Sequence, residues 1–268
     1  MSRNHEEDER TVREWVSAAL SNPTKNVYEE LCRHFDEVGI SVGRQGAVYG
    51  ISSLSETKGA NKRRGDLFEA LTARLITLKL LPGFDQTLRT YYWSEIPPEV
   101  RQKLSLGTQD MGIDLIVETT SGWVAVQCKY RKKPRPGAKT PQGYPIRHLV
   151  PWKELSTFYA LCERTGPWDK HVVVTTALGV KRPGKKGDKD FSICGTRLSG
   201  MSREKWATFA GYTSYRLAES EVTELVEEVK ESPPTQEKKT IRRVRKLTEK
   251  DKEEVRRRRL ARFETPKE

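Results

Sequence analysis

Apolar residues recur at helical spacing in the first third of the chain. Two amphipathic patterns within residues 7–38 predict two helices, and their apolar positions are Val12, Trp15, Val16, Leu20, Val27, Leu31 and Phe35. A third pattern predicts a helix from about Arg64 to Leu81 that stops at the sequence PGF. Its apolar face consists of Leu67, Leu71, Leu75 and Leu78. The Gly- and Ser-rich stretch between these patterns predicts a strand-like fragment followed by a linker.

Strand and helix signals alternate in the middle of the chain. The stretch TLRTYYWSEI predicts an extended segment, residues 110–130 predict a hairpin, and HVVVTTA predicts a buried strand. A helix is predicted in WKELSTFYALCERTG, before that last strand. Helix, three strands, helix and strand is a mixed α/β order. Residues 177–200 predict an irregular surface loop, and REKWATFAG and ESEVTELVEEVK predict two closing helices.

The hairpin carries polar residues where a buried strand is expected to be apolar. Ser121-Gly122 predicts a two-residue turn, which would place Asp114 opposite Lys129. Opposed residues, and residues two apart on one strand, share a face of the sheet, so Asp114, Gln127 and Lys129 are expected to converge. A four-residue loop with the same centre keeps this register, whereas a three-residue loop with a bulge breaks it.

These three side chains suit phosphodiester chemistry. Carboxylate and amide oxygens are hard ligands for Mg²⁺, which neutralises charge growing on a phosphate, and an ammonium steadies an attacking water. An Asp opposite a Lys is equally an ordinary cross-strand ion pair on a solvated sheet face. The hairpin alone leaves both interpretations open.

The amino-acid composition limits the classes of molecule that are expected to bind this protein. The 268 residues carry a net charge of +12, and 32% of them are charged, so a polyanion is the expected partner, although solubility alone explains part of any charge. The four cysteines lie far apart without metal-binding spacing, which indicates reduced thiols in an intracellular protein. No apolar stretch is long enough for a membrane span, and the N-terminus lacks a signal-peptide core, so neither a membrane nor secretion is expected.

Positive charge is concentrated in two segments. From Lys129 to Lys153 there are eight Lys or Arg and no acid, and residues 231–268 hold fourteen Lys or Arg against eight Asp or Glu. Both segments are expected to bind DNA phosphates, through Arg131, Lys132, Lys133, Arg135, Lys139, Arg256, Arg257, Arg258 and Arg259. The alternative is that these segments are simply solvated loops, as runs of charged residues usually are.

We predict three regions along the chain. They are a small helical region and linker (1–60), a main domain (61–230), and a tail that is mobile or helical on binding (231–268).

The order of these elements and their residues resembles a known family. RRGDLFEALTARLI, LGTQDMGIDLIVET, WVAVQCKYR and HVVVTTA are similar to the opening helix, metal-binding strand, Q-x-K strand and following strand of restriction-endonuclease-like PD-(D/E)xK nucleases. The similarity covers roughly residues 61–180 and is to the Mrr-type branch, most closely to the nuclease domain at the N-terminus of certain large predicted helicases. This resemblance implies a mixed central sheet flanked by helices.

The resemblance also implies roles for individual residues. Asp114 matches the metal-binding aspartate, Gln127 the second ligand that is more often Glu, and Lys129 the lysine beside the attacking water. Glu69 matches the acidic residue of the first helix, and the backbone carbonyl of Cys128 completes the metal shell. A neutral Gln oxygen is a weaker Mg²⁺ ligand than a carboxylate.

Three further residues near the motif have less defined roles. Asp110 is expected to be either an outer acid of the metal site or a turn cap. Thr175 and Thr176 are expected either to line the site or simply to belong to a strand, where β-branched residues are common.

We therefore expect a metal-dependent DNA endonuclease that uses Mg²⁺, with Mn²⁺ as a substitute. Its role in restriction, homing or recombination stays open, as does homodimerisation. The sequence has no G-x-x-x-x-G-K-[ST] loop, so any motor would be a separate helicase or ATPase. A non-catalytic DNA-binding protein, an RNA-processing nuclease and a junction resolvase are the alternatives.

Overall fold

A five-stranded mixed sheet forms the centre of the computed structural model, with strands in the order β1-β2-β3-β5-β7. β1 and β3 each pair with β2 in the antiparallel sense, whereas β5 is parallel to both β3 and β7. The strands are β1 (Thr87–Tyr92), β2 (Leu115–Thr119), β3 (Gly122–Lys129), β5 (Lys170–Thr175) and β7 (Asp190–Ile193), and a separate parallel pair is β4 (Val150–Pro151) with β6 (Val180–Lys181). The predicted mixed sheet is confirmed.

Helices cover both faces of this sheet. They are α1 (His5–Leu20), α2 (Val27–Tyr49), α3 (Ser53–Thr77), α4 (Pro98–Lys103), α5 (Ser156–Arg164), α6 (Gly195–Ser199) and α7 (Arg203–Ala210), with short 3-10 turns at Trp93–Glu95 and Trp152–Glu154. None of the helices in the described residues has the length and apolar character needed to cross a bilayer.

The structure describes residues 4–49, 53–109, 112–134, 137–139, 142–143, 147–182 and 187–212, with side chains omitted for 39–57. All of these residues lie in one compact unit, Met1–Tyr215. Asp110, Arg135, the four arginines at 256–259 and the second closing helix predicted at 219–230 lie outside the described residues.

Alternating side chains divide the core into two clusters, one on each side of the sheet. Val124, Val126 and Val172 point toward α1, α2, α3 and α7. Trp123, Ala125 and Val173 point toward α4 and α5. This period-2 alternation of apolar residues to both faces is what a strand covered on both sides requires.

The N-terminal helices belong to the first of these clusters. Val12 and Val16 of α1 and Leu31 and Phe35 of α2 are each at most 1% exposed. The strand-like fragment predicted after residue 39 is wrong, because α2 continues to Tyr49 and α3 already begins at Ser53. The boundary predicted near residue 60 therefore falls inside α3, while the three-part division of the chain stays a prediction.

The helix predicted from Arg64 to Leu81 ends earlier than expected. α3 stops at Thr77, and Lys79 has a φ of +58°, a left-handed conformation that ends the helix before the PGF sequence. The Leu80 N–H donates to the Leu75 carbonyl over 2.9 Å, as in a helix cap. The predicted apolar face is confirmed at Leu67 and Leu71, which are buried.

The hairpin register differs from the prediction by two residues. Thr119 pairs with Gly122 and Leu115 with Val126, so the turn is Thr120-Ser121, and Gly122 is the first residue of β3. Gly122 has a φ of +148°, which L-residues rarely adopt. Because a shift of two residues keeps every side chain on the same face, the expected convergence does not depend on the error.

The segment 177–200 is more ordered than the predicted irregular loop. It contains β6, β7 and α6. β7 forms the edge of the main sheet, where Val172 pairs with Phe191 and Val174 with Ile193. The prediction missed this strand because only four residues form it, directly after a segment rich in Lys, Gly and Pro.

Candidate active site at the ends of β2 and β3

Asp114 lies immediately before β2, where β3 continues beyond its partner strand. Leu115 paired with Val126 is the last β2–β3 pair, so Gln127, Cys128 and Lys129 extend past it. The half-buried Asp114 carboxylate binds this extension: its Oδ2 accepts the backbone N–H of Cys128 over 2.6 Å and the side-chain amide of Gln127 over 2.5 Å. The aspartate thus takes the position of a missing backbone partner and fixes the end of β3.

The Gln127 side chain is 3% exposed and faces Asp114 with its nitrogen. Its Oε1 lies 3.4 Å from the position that a Cβ would occupy on Gly112, a residue with a φ of +112°. Any side chain at Gly112 would therefore be strained and would crowd the amide. In this orientation the amide is a hydrogen-bond donor to the carboxylate.

Lys129 shares the face of Gln127 because it lies two residues further along β3. Within the described part of the chain, its ammonium makes neither a hydrogen bond nor an ion pair with another side chain. The cross-strand ion pair between Asp114 and Lys129 that the sequence left open is not formed. A half-buried lysine with no counter-charge among the described residues is therefore left at the end of β3.

Thr175 at the end of β5 and Thr176 after it hold the backbone at Lys129 and at Arg131. The Thr175 hydroxyl donates to the Lys129 carbonyl over 2.7 Å. The Thr176 hydroxyl accepts the Arg131 N–H over 2.7 Å and donates to the Arg131 carbonyl over 2.9 Å. Both threonines are buried, at 0% and 5% exposure. Their hydroxyls therefore position the backbone of the site and are not open to solvent. The sequence offered only the TT pair after a buried strand as a signal.

Cys128 and Glu69 approach from the opposite side of the sheet. The Cys128 thiol packs against the cluster that contains α3. Burial raises its pKa well above the ordinary value, the charges of Asp114 and Glu69 raise it further, and a hydrogen bond with Thr72 opposes the shift. The thiol is therefore protonated at neutral pH and serves packing, as predicted from the alternation. Glu69 lies near β3, on the side of the sheet away from the Gln127 amide.

The predicted DNA-binding residues after β3 differ in their environments. Arg131 pairs with Glu154, and partial burial lowers its pKa. Lys132 pairs with Asp36 over 3.3 Å. Lys133 and Lys139 are exposed and form no ion pair within the described residues. Two of these cations are thus partly neutralised, and two are open to an anion.

The donor set fits a divalent cation in its chemistry. Asp114 offers a carboxylate, Gln127 an amide oxygen and Cys128 a backbone carbonyl, which are hard oxygen ligands of the kind that Mg²⁺ prefers. No group of three or more His, Cys, Asp or Glu is arranged for a metal in the described ranges. The set therefore depends on one aspartate, one amide and backbone oxygen, and Gln127 must turn its amide to present Oε1.

Comparison with protein families agrees with this geometry. Residues 84–190 match the family model Mrr_cat_2, which describes a restriction endonuclease. The matched segment contains Asp114, Gln127 and Lys129, whereas Glu69 precedes it. Comparisons with curated proteins and with solved structures give no significant match. Residues 84–190 therefore form a restriction-endonuclease-like domain of the Mrr type.

Proposed function

We propose that this nuclease is a metal-dependent DNA endonuclease that hydrolyses phosphodiester bonds at the ends of β2 and β3. The observation that carries the proposal is the lysine without a counter-charge, Lys129, on the same face as the Asp114–Gln127 pair. A buried or half-buried charge without a partner is costly, and it is retained where a ligand or a transition state supplies the opposite charge. A phosphate in the act of cleavage supplies that charge.

The residues of the candidate site have distinct roles in the proposed reaction. Asp114, the Gln127 amide and the Cys128 carbonyl would hold Mg²⁺, or Mn²⁺ in its place. Glu69, which lies near Cys128 on the other side of the sheet, would support a second ion or fix the first through water. Such an ion, when bound, neutralises phosphate charge and lowers the pKa of water. Lys129 orients the attacking water and donates to a phosphate oxygen. The Cys128 N–H keeps the Asp114 carboxylate in place.

Thr175 and Thr176 would keep the lysine in register with the aspartate. Lys129 is a long, flexible side chain, so its ammonium is only as well placed as its backbone. Both threonine hydroxyls bond the backbone at residues 129 and 131, on either side of Tyr130. This arrangement supports a preorganised cation, which contributes more to a rate than one that must be ordered during the reaction.

DNA affinity would come mainly from phosphate contacts. Lys133 and Lys139 are exposed and unpaired within the described residues, and the basic tail would add further contacts. Such contacts release counterions, so each should change the log-log salt slope by about 0.9 on duplex DNA. A restriction-like, homing or recombination role, a separate helicase or ATPase, and homodimerisation are all compatible with this proposal.

Cleavage assays with Lys129→Ala test the proposal. Wild-type protein with Mg²⁺ is expected to cut DNA, and Lys129→Ala to cut at least about 10²-fold more slowly, because one electrostatic group at the transition state is lost. Lys62→Ala, on exposed α3 surface, serves as the charge-matched control and should leave the rate unchanged.

The substrate panel decides between the alternatives. Linear duplex, branched DNA, single-stranded DNA and RNA are compared with the same protein. Preferential cutting of RNA would replace the proposal with an RNA-processing nuclease, and preference for branched DNA with a junction resolvase. Near wild-type cutting by Lys129→Ala would remove the proposed site, and DNA binding without any cutting would leave a non-catalytic DNA-binding protein.

A further inference from the structure

A cavity of about 440 Å³ lies at the same end of the sheet as the candidate site. Tyr130 and Arg131, which line it, follow Lys129 directly, and Thr176 in its wall follows Thr175, the β5 partner of Lys129. An extended chain advances about 3.3 Å per residue, so Lys133, also in the wall, starts no more than about 13 Å from Lys129. The cavity opens on the α2 side of β3, whereas Gln127 and Lys129 face the α4 and α5 side, so a DNA strand would reach the cavity from the cut around the end of the sheet.

One wall of the cavity is apolar and aromatic. Tyr28 is 8% exposed, and its ring lies near Tyr130, which in turn packs against Phe35 with ring centroids 5.1 Å apart. At the rim, Leu178 is 59% exposed, which is unusual for a leucine. Flat aromatic and aliphatic surfaces of this kind receive a nucleobase by stacking and van der Waals contact.

The remaining wall carries charges of both signs. Lys133 is the cation available to a ligand there, since Arg33 bridges Glu30 and Glu37 and Arg131 pairs with Glu154. Two carboxylates also line the cavity. Asp36 accepts the Tyr130 hydroxyl over 2.8 Å and contacts Lys132, whereas Glu29 is exposed.

We propose that this cavity binds one nucleotide of the DNA strand, drawn out of its stack beside the cut. Lys133 receives the phosphate, the Tyr28–Tyr130 wall and Leu178 receive the base, and Glu29 accepts from a base amino group. A site for a simple anion would not carry two carboxylates, whereas a nucleotide has both an anionic end and a neutral end with donors. The volume suits one small molecule.

The proposal rests on the proposed function only in taking DNA as the substrate. It adds a preference for DNA in which a nucleotide is already unstacked. Drawing a base from a perfect duplex costs a few kcal/mol, and the cost is lowest at a mismatch or in a single strand. A mismatch beside the cut is therefore expected to increase kcat/KM about tenfold over the matched duplex.

The test uses methyl NMR of the full chain without metal. Deoxyadenosine monophosphate, added to about 10 mM, is expected to shift the methyl signals of Leu178. Leu88 is the matched internal control, because it is 58% exposed but lies on β1, away from the cavity. Its signals should stay in place. Inorganic phosphate at the same concentration is expected to bind at least about tenfold more weakly, because it lacks the base.

Variants of the cavity complete the test. Lys133→Gln is expected to weaken nucleotide binding about tenfold. Ser199, the last residue of α6, also lines the cavity, and Ser199→Trp is expected to fill the cavity and abolish binding. Lys62→Gln should leave binding unchanged. Should Ser199→Trp fail to fold, Lys133→Gln still decides, because Lys133 is exposed.

The possible outcomes separate this inference from the proposed function. Absence of a Leu178 shift, an equal response to phosphate alone, or binding unaffected by Lys133→Gln would each overturn the nucleotide site. Cleavage of DNA by a protein that binds no nucleotide would overturn this inference and leave the proposed function intact. Nucleotide binding in the cavity by a protein that does not cut would support the inference and remove the proposed activity.

Discussion

Two polar clusters lie on the same face of β3 and β5, and they differ in how their charges are satisfied. At the start of β5, His171 contacts Asp190 over 3.2 Å, and Asp190 also pairs with Arg182. At the end of β3, Asp114 is held by Gln127 and Cys128, while Lys129 has no counter-charge within the described residues. Along β3, four residues, or about 13 Å, separate Ala125, which pairs with His171, from Lys129.

The comparison indicates which cluster serves the fold and which serves chemistry. In the first, the ions compensate each other, and Arg182 also lies over the Tyr159 ring at 5.3 Å. This network fixes β6 and β7 to the sheet. In the second, a cation is left for an external anion, although a structural role alone would favour pairing it. Charged side chains that neutralise each other within the protein indicate a structural role. A charged side chain that lacks a counter-charge indicates a binding or catalytic site.

Replacing Asp114 by Ala should have the largest effect on activity. We expect cleavage to fall at least about 10²-fold, because the carboxylate that would bind the metal is lost. The unfolding free energy should fall by about 1–3 kcal/mol, since Gln127 and the Cys128 N–H lose their acceptor. Steady-state cleavage and urea unfolding measure these effects, with Asp85→Ala as the exposed control. Full activity in the Asp114 variant would refute the comparison.

Replacing Asp190 by Ala should lower the stability of the protein and leave its activity almost unchanged. Removing one partner leaves the nearly buried Arg182 charge uncompensated, so the unfolding free energy should drop by about 3 kcal/mol. Folded protein should keep its kcat within about twofold, because a residue remote from the reacting groups contributes nothing to the transition state. The control is Asp169→Ala, whose carboxylate lies 3.8 Å from Lys170 on the surface. A loss of kcat without a loss of stability would contradict the structural role.

Replacing Gln127 by Glu would turn the satisfied pair into an incomplete one. Two carboxylates would then face each other, so in EDTA the unfolding free energy should fall by about 1–3 kcal/mol. Mg²⁺ should restore it, and cleavage should persist at lower Mg²⁺ concentrations. Thermal unfolding with and without Mg²⁺ measures the difference, and Gln102→Glu on exposed α4 is the control. An equal response of both variants to Mg²⁺ would exclude Gln127 as a ligand.

Replacing Thr176 by Val should have the smallest effect. The variant keeps the shape but loses the two hydrogen bonds to Arg131, which should cost about 1 kcal/mol of stability. Because the lysine backbone is less well fixed, kcat should fall severalfold while KM stays unchanged. Thr176→Ser keeps the hydroxyl and should restore kcat. If Ser and Val behave alike in kcat, the hydroxyl does not position Lys129.

The sequence allowed the α/β order and the convergence of the site to be predicted, because both depend on periodicity. Asp114, Gln127 and Lys129 share a face for any register that slips by an even number of residues. The turn itself was misplaced, since a glycine with positive φ can begin a strand as well as occupy a turn.

Contacts between residues far apart in the chain could not be predicted from the sequence. The Thr176 bonds to Arg131 join residues 45 apart and require the parallel pairing of β3 with β5. The helical form of residues 39–49 went unpredicted because the glycines of this stretch masked the helix, although its first half, held by packing of Leu31 and Phe35 in the core, was predicted. Tertiary packing overrode local propensity there.

The position of β3 between β2 and β5 has a consequence for how the protein loses activity. Backbone amides of a strand paired on both sides exchange with solvent only when the sheet opens as a whole, so Val124 to Val126 should be among the slowest-exchanging amides. Lys129 is the last residue of this strand. Local fraying at lower temperatures should therefore leave cleavage intact, and heat inactivation should coincide with cooperative unfolding of the sheet.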